Sequence, residues 1–215
     1  MRTLQLSDLG ADQGYADVLA LQERAHARRV AGDAPDHLFV LEHRPVYTLG
    51  HSAEAAHILY SEEALREAGI ERVATTRGGD VTYHGPGQLV GYPVIHLGEA
   101  GLRVVEYVTA LEEVLIRAVA AYGIVAGRDA RNRGVWAGGN KLAAVGIRVS
   151  RQVAMHGFAL NVNTRLDDYR GIVACGLRDV GITSLARLLG GPVEMQGVKQ
   201  QVICAFREIL NYGAS

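Results

Sequence analysis

Apolar and polar positions recur with changing periods along the chain, and each change of period marks an element. From Asp12 to about Val30 the spacing predicts a helix, closed by the breaker Gly32-Asp33-Ala34-Pro35-Asp36. His37–Glu42 predicts a buried strand, because Leu38, Phe39, Val40 and Leu41 are continuously apolar. Ser61 has the chemistry of an N-cap, with Glu62 and Glu63 at the positive end of a short helix that Gly69 ends. The clearest helix runs from Arg103 to Tyr122: Val104, Val108, Leu111, Leu115, Ala118, Val119 and Tyr122 repeat at three-to-four spacing, and Gly123 follows. Gly134–Ala137 and Leu142–Ser150 predict a hairpin around Gly138-Gly139-Asn140, residues that tolerate positive φ. Met155–Val162 is a further strand, and two helices close the chain, one after Thr183 and one from about Gly197 to Asn211. Strict βαβ alternation is absent. The expectation is therefore an α+β fold, a mixed sheet with flanking helices, forming a single domain over residues 1–215.

Composition narrows this little but excludes much. Apolar residues make up 48% and charged residues 21% of the 215, which suits a packed core. A formal net charge of −1 argues against bulk attraction to nucleic acid or membrane, although Arg128, Arg131, Arg133, Arg148 and Arg151 could form a local basic face. No apolar run approaches the length that spans a bilayer, and residues 1–10 carry no signal-peptide pattern. The two cysteines, Cys175 and Cys204, imply no disulfide framework, so a cytoplasmic enzyme is expected.

Candidate chemistry concentrates in Arg77-Gly78-Gly79-Asp80-Val81-Thr82-Tyr83-His84-Gly85-Pro86-Gly87-Gln88. So many glycines make an ordinary strand improbable. They leave either a hairpin turn or a loop whose backbone N–H groups face a ligand. The glycine spacing is not that of a dinucleotide fingerprint, and no Walker lysine is present. Cys175 stands between apolar segments and precedes Gly176, so it is either a nucleophile on a loop or a small buried hydrophobe. Cys204 lies off the apolar face of the last helix and has no companion motif. Lys141, at the hairpin turn, is either a solvated lysine or an ammonium that lowers a nearby thiol from its usual pKa of about 8.5. The eight histidines fit no metal motif, so neither metal nor cofactor is expected.

Four blocks resemble the lipoyl(octanoyl) transferase family: Leu41–Gly50, Arg77–Leu89, Lys141–Val149, and His156–Val162 with Ile172–Leu177. The resemblance implies a fold similar to the catalytic domains of biotin and lipoate protein ligases. It makes Cys175 the acyl-thioester nucleophile and Lys141 its partner. It assigns the acyl site to Arg77, Gly78, Gly79, Asp80, Val81, Thr82, Tyr83 and His84, with Ala144, Val145, Gly146, Gly157, Phe158 and Ala159. The implied donor is octanoyl-acyl carrier protein. The implied acceptors are lysines on lipoyl domains of 2-oxoacid dehydrogenase E2 subunits and on the glycine cleavage H protein. Two positions depart from the family pattern: Ala174 replaces a common proline, and Asn140 replaces a common basic residue. Thioester exchange needs no ATP, which agrees with the missing phosphate motifs, and a thiol is a natural covalent catalyst for it. The small residues Ala143, Ala144 and Gly146 leave room for an acyl chain. The rivals are an ATP-dependent lipoate-protein ligase of similar fold and a protein that only binds acyl chains.

Overall fold

A computed structural model describes residues 2–173 and 181–213. Cys175 lies outside the described residues. Among the described residues ten strands form two sheets. The larger has the order β1 (Leu4–Gln13), β2 (Asp36–His43), β6 (Gln88–His96), β10 (Val153–Asn161), β9 (Asn140–Ser150), β8 (Asn132–Ala137) and β7 (Gly127–Asp129). The smaller has the order β4 (Glu71–Ala74), β3 (Val46–Leu49) and β5 (Val81–His84). β1–β2 and β3–β4 are parallel and the remaining pairs antiparallel, so the sheets are mixed as expected.

Helices cover both faces of the large sheet. On one side α4 (Val104–Ala120) and α6 (Met195–Ile209) pack Leu111, Leu115, Val119, Val198, Val202 and Phe206 against Leu89, Leu142 and Leu160. Much of the three-to-four apolar rows that predict these helices forms their buried faces, but in α4 Val104 is exposed while Tyr107 and Val114 are buried. Glu106 reaches back to the Arg103 N–H, 2.8 Å away, and satisfies an orphan donor at the start of α4. On the opposite face α1 (Tyr15–Ala31) sets Tyr15 and Val18 against Phe39, Leu41, Val90 and Tyr92. The short helix α2 (Glu62–Ala68) covers the small sheet through Leu65; Ser61 Oγ accepts from the Ala64 N–H at 3.2 Å, and Gly69 closes it in the left-handed region. Two further short helices are α3 (Leu97–Ala100) and α5 (Leu185–Leu189), with 3-10 helix at Ala55–His57 and Leu166–Gly171.

The sequence reading named no strand for β3, β4, β6 or β7, and three further differences bear on the site. β1 has no counterpart in the sequence reading, because Leu4–Gln13 is largely solvent-facing and lacks regular alternation; it runs through Asp12, so α1 begins only at Tyr15. The glycine-rich segment does contain an ordinary strand. Its glycines straddle Val81–His84, which is fully buried and antiparallel to β3. Gly85-Pro86-Gly87 then carries the chain from the small sheet into β6 of the large one, closed by the Gln88 N–H donating to the Gly85 carbonyl at 3.1 Å. The β8–β9 turn is confined to Gly138 and Gly139, both at positive φ, and Asn140 already belongs to the strand.

Candidate active site

Between the two sheets lies a cavity of about 570 Å³, counted with its open mouth. Its floor is the β9–β10 ladder. Ala144 sits opposite Ala159 and Gly146 opposite Gly157, so two cross-strand pairs on either side of Val145–Phe158 carry almost no side chain. The close approach is required at Gly157, where a Cβ would stand 2.2 Å from the Gly91 carbonyl oxygen. Val145 and Phe158 border the same cavity. Across from the floor stand Arg77, Gly78, Gly79, Asp80, Val81, Thr82 and His84. Tyr83 does not face it. Strand alternation turns its ring to the other side of β5, where its hydroxyl donates to Asp168 Oδ2 at 2.6 Å. Ala143 borders a smaller cavity of about 230 Å³ that shares Thr82, Lys141 and Ala144 with the first.

Sequence reasoning missed four lining residues, Tyr15, Tyr92, Asn132 and His156. None lies in a motif that reads as chemistry except His156, which opens one of the resembling blocks. Three of the four, with His43, His84 and Arg77, make a buried polar wall. The Arg77 guanidinium donates from Nε to Thr48 Oγ1 at 3.2 Å and from Nη2 to the Thr48 carbonyl at 2.5 Å, and Nη1 to the Gly78 carbonyl at 3.1 Å. With Thr48 Oγ1 accepting from arginine, its hydroxyl proton points to His84 Nε2 at 3.4 Å, and His84 Nδ1 donates to Gln88 Oε1 at 2.8 Å. Burial, then the neighbouring His43 and the Arg77 charge, push His84 well below the ordinary histidine range. Burial likewise brings His43 down to about 4 and, with Arg77 and Arg148, His156 down to about 4. Tyr92 shares its hydroxyl with His43 Nε2 at 2.8 Å, and burial lifts Tyr15 to about 12. These imidazoles and phenols are thus neutral and surround one fixed guanidinium, while Asp80 Oδ2 on the same side lies 2.6 Å from His57 Nδ1.

Lys141 is not a solvated turn residue. It is 5% exposed and sits at the junction of the two cavities. Its backbone N–H donates to the Gly181 carbonyl at 2.8 Å and its carbonyl accepts from the Thr183 N–H at 2.9 Å. Its Nζ donates to Asn132 Oδ1 at 2.8 Å and stands 5.6 Å from the Trp136 ring centroid. Gly134 makes this path available. At φ +126° it sits beside an irregularity in the β8–β9 register, and a Cβ there would lie 2.3 Å from the Ala143 carbonyl oxygen and 3.0 Å from Lys141 Cε. Upstream of residue 174 the chain is tied down as well: the Leu59 N–H donates to the Gly171 carbonyl and the Val173 N–H to the His57 carbonyl, both at 2.8 Å.

The arginine stretch is mostly neutralised by its neighbours. Arg128 pairs with Glu112 and Glu113 at 3.1 and 2.9 Å, Arg131 with Asp129 at 2.6 Å, and Arg133 with Glu112 at 3.7 Å. Arg148 instead reaches Thr76 Oγ1 at 3.3 Å, beside the cavity. Among the described residues no group of three or more histidines, cysteines and carboxylates is arranged to hold a metal ion.

A small-residue floor, a buried lysine and a polar wall with one fixed guanidinium meet in this cavity. The chain belongs to the lipoyl protein ligase A/B catalytic domain family, whose model matches residues 14–207. Within that class the octanoyltransferase of Caldicellulosiruptor saccharolyticus is 48% identical over 197 residues, covering 91% of this chain and 84% of the relative. The fold is shared with a bi-partite lipoate protein ligase from Thermoplasma acidophilum, at TM-score 0.78 and 16% identity over 98% of this chain and 85% of that one. It is shared more loosely with a biotin protein ligase from Aquifex aeolicus, at TM-score 0.54 and 14% identity over 98% and 70%.

Proposed function

We propose that this acyltransferase moves an octanoyl group from acyl carrier protein to a lysine of a lipoyl domain, through a thioester on Cys175 assisted by Lys141. Octanoyl transfer in lipoate biosynthesis is supported by the octanoyltransferase relatives. The observation that carries the route is Lys141. It is buried at the rim of the small-residue floor, and its main chain is bonded to Gly181 and Thr183, the residues to which the chain returns after the segment bearing Cys175.

In the first half, the Cys175 thiolate attacks the donor's thioester carbonyl, favoured by the adjacent ammonium. The tetrahedral intermediate collapses as the carrier's thiolate leaves, taking a proton from Lys141. In the second half, the acceptor amine attacks the Cys175 thioester and gives a proton to the now neutral Lys141. Cys175 departs as thiolate, and the pair is restored with the amide formed. His84 is a poorer base, because its Nε2 is engaged by Thr48 and its Nδ1 by Gln88. The acyl chain lies along the Ala144–Ala159 and Gly146–Gly157 pairs, where about seven buried carbons contribute on the order of 5 kcal/mol.

The acceptors we propose are the lipoyl domains of 2-oxoacid dehydrogenase E2 subunits and the glycine cleavage H protein, served by one catalytic domain in the cytoplasm. Among the described residues no helix is long and apolar enough to cross a membrane. The test is intact-mass analysis after incubation with octanoyl carrier protein and no ATP. One octanoyl adduct is expected, absent from Cys175→Ala, with transfer lost by several orders of magnitude in Cys175→Ala and Lys141→Met. Transfer that requires ATP, with no adduct, would sink the route in favour of a ligase.

A further inference from the structure

The side chain that receives the Lys141 ammonium belongs to Asn132, which no motif marks. We propose that Asn132 is a positioning residue, a neutral acceptor that aims Lys141 at the reacting thioester while allowing it to lose and regain its proton. This rests on the Cys175–Lys141 route above.

Asn132 is itself held in place. It opens β8 opposite Asp129 in the β7–β8 pair, and its carbonyl accepts from Trp136 Nε1 at 3.2 Å. The same indole lies beneath Lys141 Nζ and, at 4.7 Å, beneath the Arg131 guanidinium. Trp136 and Lys141 are cross-strand partners, so one aromatic ring fixes the backbone of the acceptor and the direction of the donor. Asn132 also lines the cavity with Lys141.

The identity of the acceptor matters because the proposed cycle moves a proton on and off Lys141. An amide oxygen orients an ammonium without cancelling its charge; a carboxylate in the same place would form an ion pair and compete with the Cys175 thiolate for it. The local carboxylates are engaged elsewhere. Asp129 is bound by Arg131, and Glu112 by Arg128, Arg133 and the Gly134 N–H. Across the cavity the facing groups are Arg77, Asp80, His84 and His156. A further negative charge at position 132 would therefore act on Lys141 first.

The experiment uses the full chain with Cys204→Ser, preloaded with octanoate, and follows deacylation by a lipoyl domain in single turnovers from pH 6 to 10. Asn132→Asp, nearly isosteric, should move the alkaline midpoint of the deacylation rate up by about one pH unit and raise the pH at which iodoacetamide labels Cys175. Asn132→Ala should move the deacylation midpoint the other way, with the apparent KM for the lipoyl domain within about twofold in both variants. A residue with a merely structural role would lower the rate without opposed shifts. Unmoved midpoints in both variants, with Lys141→Met inactive, overturn the Asn132 proposal and leave the Lys141 route standing. Normal deacylation by Lys141→Met overturns that route and the proposal together.

Discussion

The two walls of the cavity solve different problems with opposite materials. The floor, from the large sheet, is nearly bare backbone: two alanines and two glycines in alternate cross-strand pairs. The opposing wall, from the small sheet and its glycine-rich approach, is crowded with Arg77, Thr82 and His84, backed by Tyr15, Tyr92 and His156. The floor offers space with few side-chain atoms. The wall presents dipoles, several already bonded to Thr48, Gln88 and His43, while the buried His156 Nδ1 meets no partner among the described residues. On the proposed route, chain length would be read on the floor and polar alignment supplied by the wall.

Adding bulk to the floor should break that division most severely. Ala144→Leu places three extra carbons where the proposed route lays the acyl chain, displacing about four methylenes at about 0.8 kcal/mol each. Octanoyl kcat/KM should fall on the order of 100-fold while that for a butanoyl donor changes far less. Equal losses for both chain lengths would mean the chain lies elsewhere. The complementary change, Arg77→Met, should lower every chain length alike. It should also cost about 2–3 kcal/mol of stability, because buried Thr48 and Gly78 acceptors lose a charged donor; denaturant titration reads this. A chain-length bias in Arg77→Met would erase the distinction between the walls.

Legibility in the sequence follows the same line. The floor and the helices behind it could be read because apolar periodicity and small-residue runs are local: Leu142–Ser150, Met155–Val162 and the Leu111–Val119 face fall where the pattern puts them. The backing of the polar wall could not. Tyr15 and Tyr92 look like core aromatics, and reach the cavity from α1 and from β6. Tyr83 was misassigned because a motif read as a block ignores the alternation of β5, which turns every second side chain away. Asn132 had no signal, since an amide at a strand start reads as a turn residue until the lysine nine positions later folds back on it. Lys141 and the glycine segment stood out in the sequence itself, their expected roles came from the resemblance to a family, and burial of the lysine was beyond any local pattern.

The neutral wall also sets an acid limit on stability. His43 and His156 titrate at about 4 in the folded protein, against an ordinary value of about 6.5 in the unfolded chain. Between those values the unfolded state binds more protons, so stability falls as pH drops from 6.5 toward 4. From pH 7 to pH 5 the loss should be about 2 kcal/mol for each histidine. Urea titrations at the two pH values check this, with His156→Gln as the control that removes one share. A pH dependence identical in wild type and His156→Gln would show that this imidazole is not buried neutral.

The smallest expected effect belongs to the second thiol, and it makes the comparison of walls measurable. Cys204 is exposed on α6, on the far side of the large sheet from the cavity, and the apolar row of that helix is Val198, Val202, Ala205 and Phe206. Cys204→Ser exchanges one exposed polar atom for another, so stability should stay within about 0.5 kcal/mol and turnover should not change. Its consequence is for attribution. An exposed thiol far from positive charge is alkylated only as its thiolate forms near its ordinary pKa of about 8.5, whereas a thiol beside the Lys141 ammonium reacts at lower pH. With both thiols present, iodoacetamide labelling should show two phases along the pH axis; with Cys204→Ser only the lower-pH phase should remain. Loss of the lower-pH phase instead would assign the reactive thiol to α6, and the cavity would then have no nucleophile to serve.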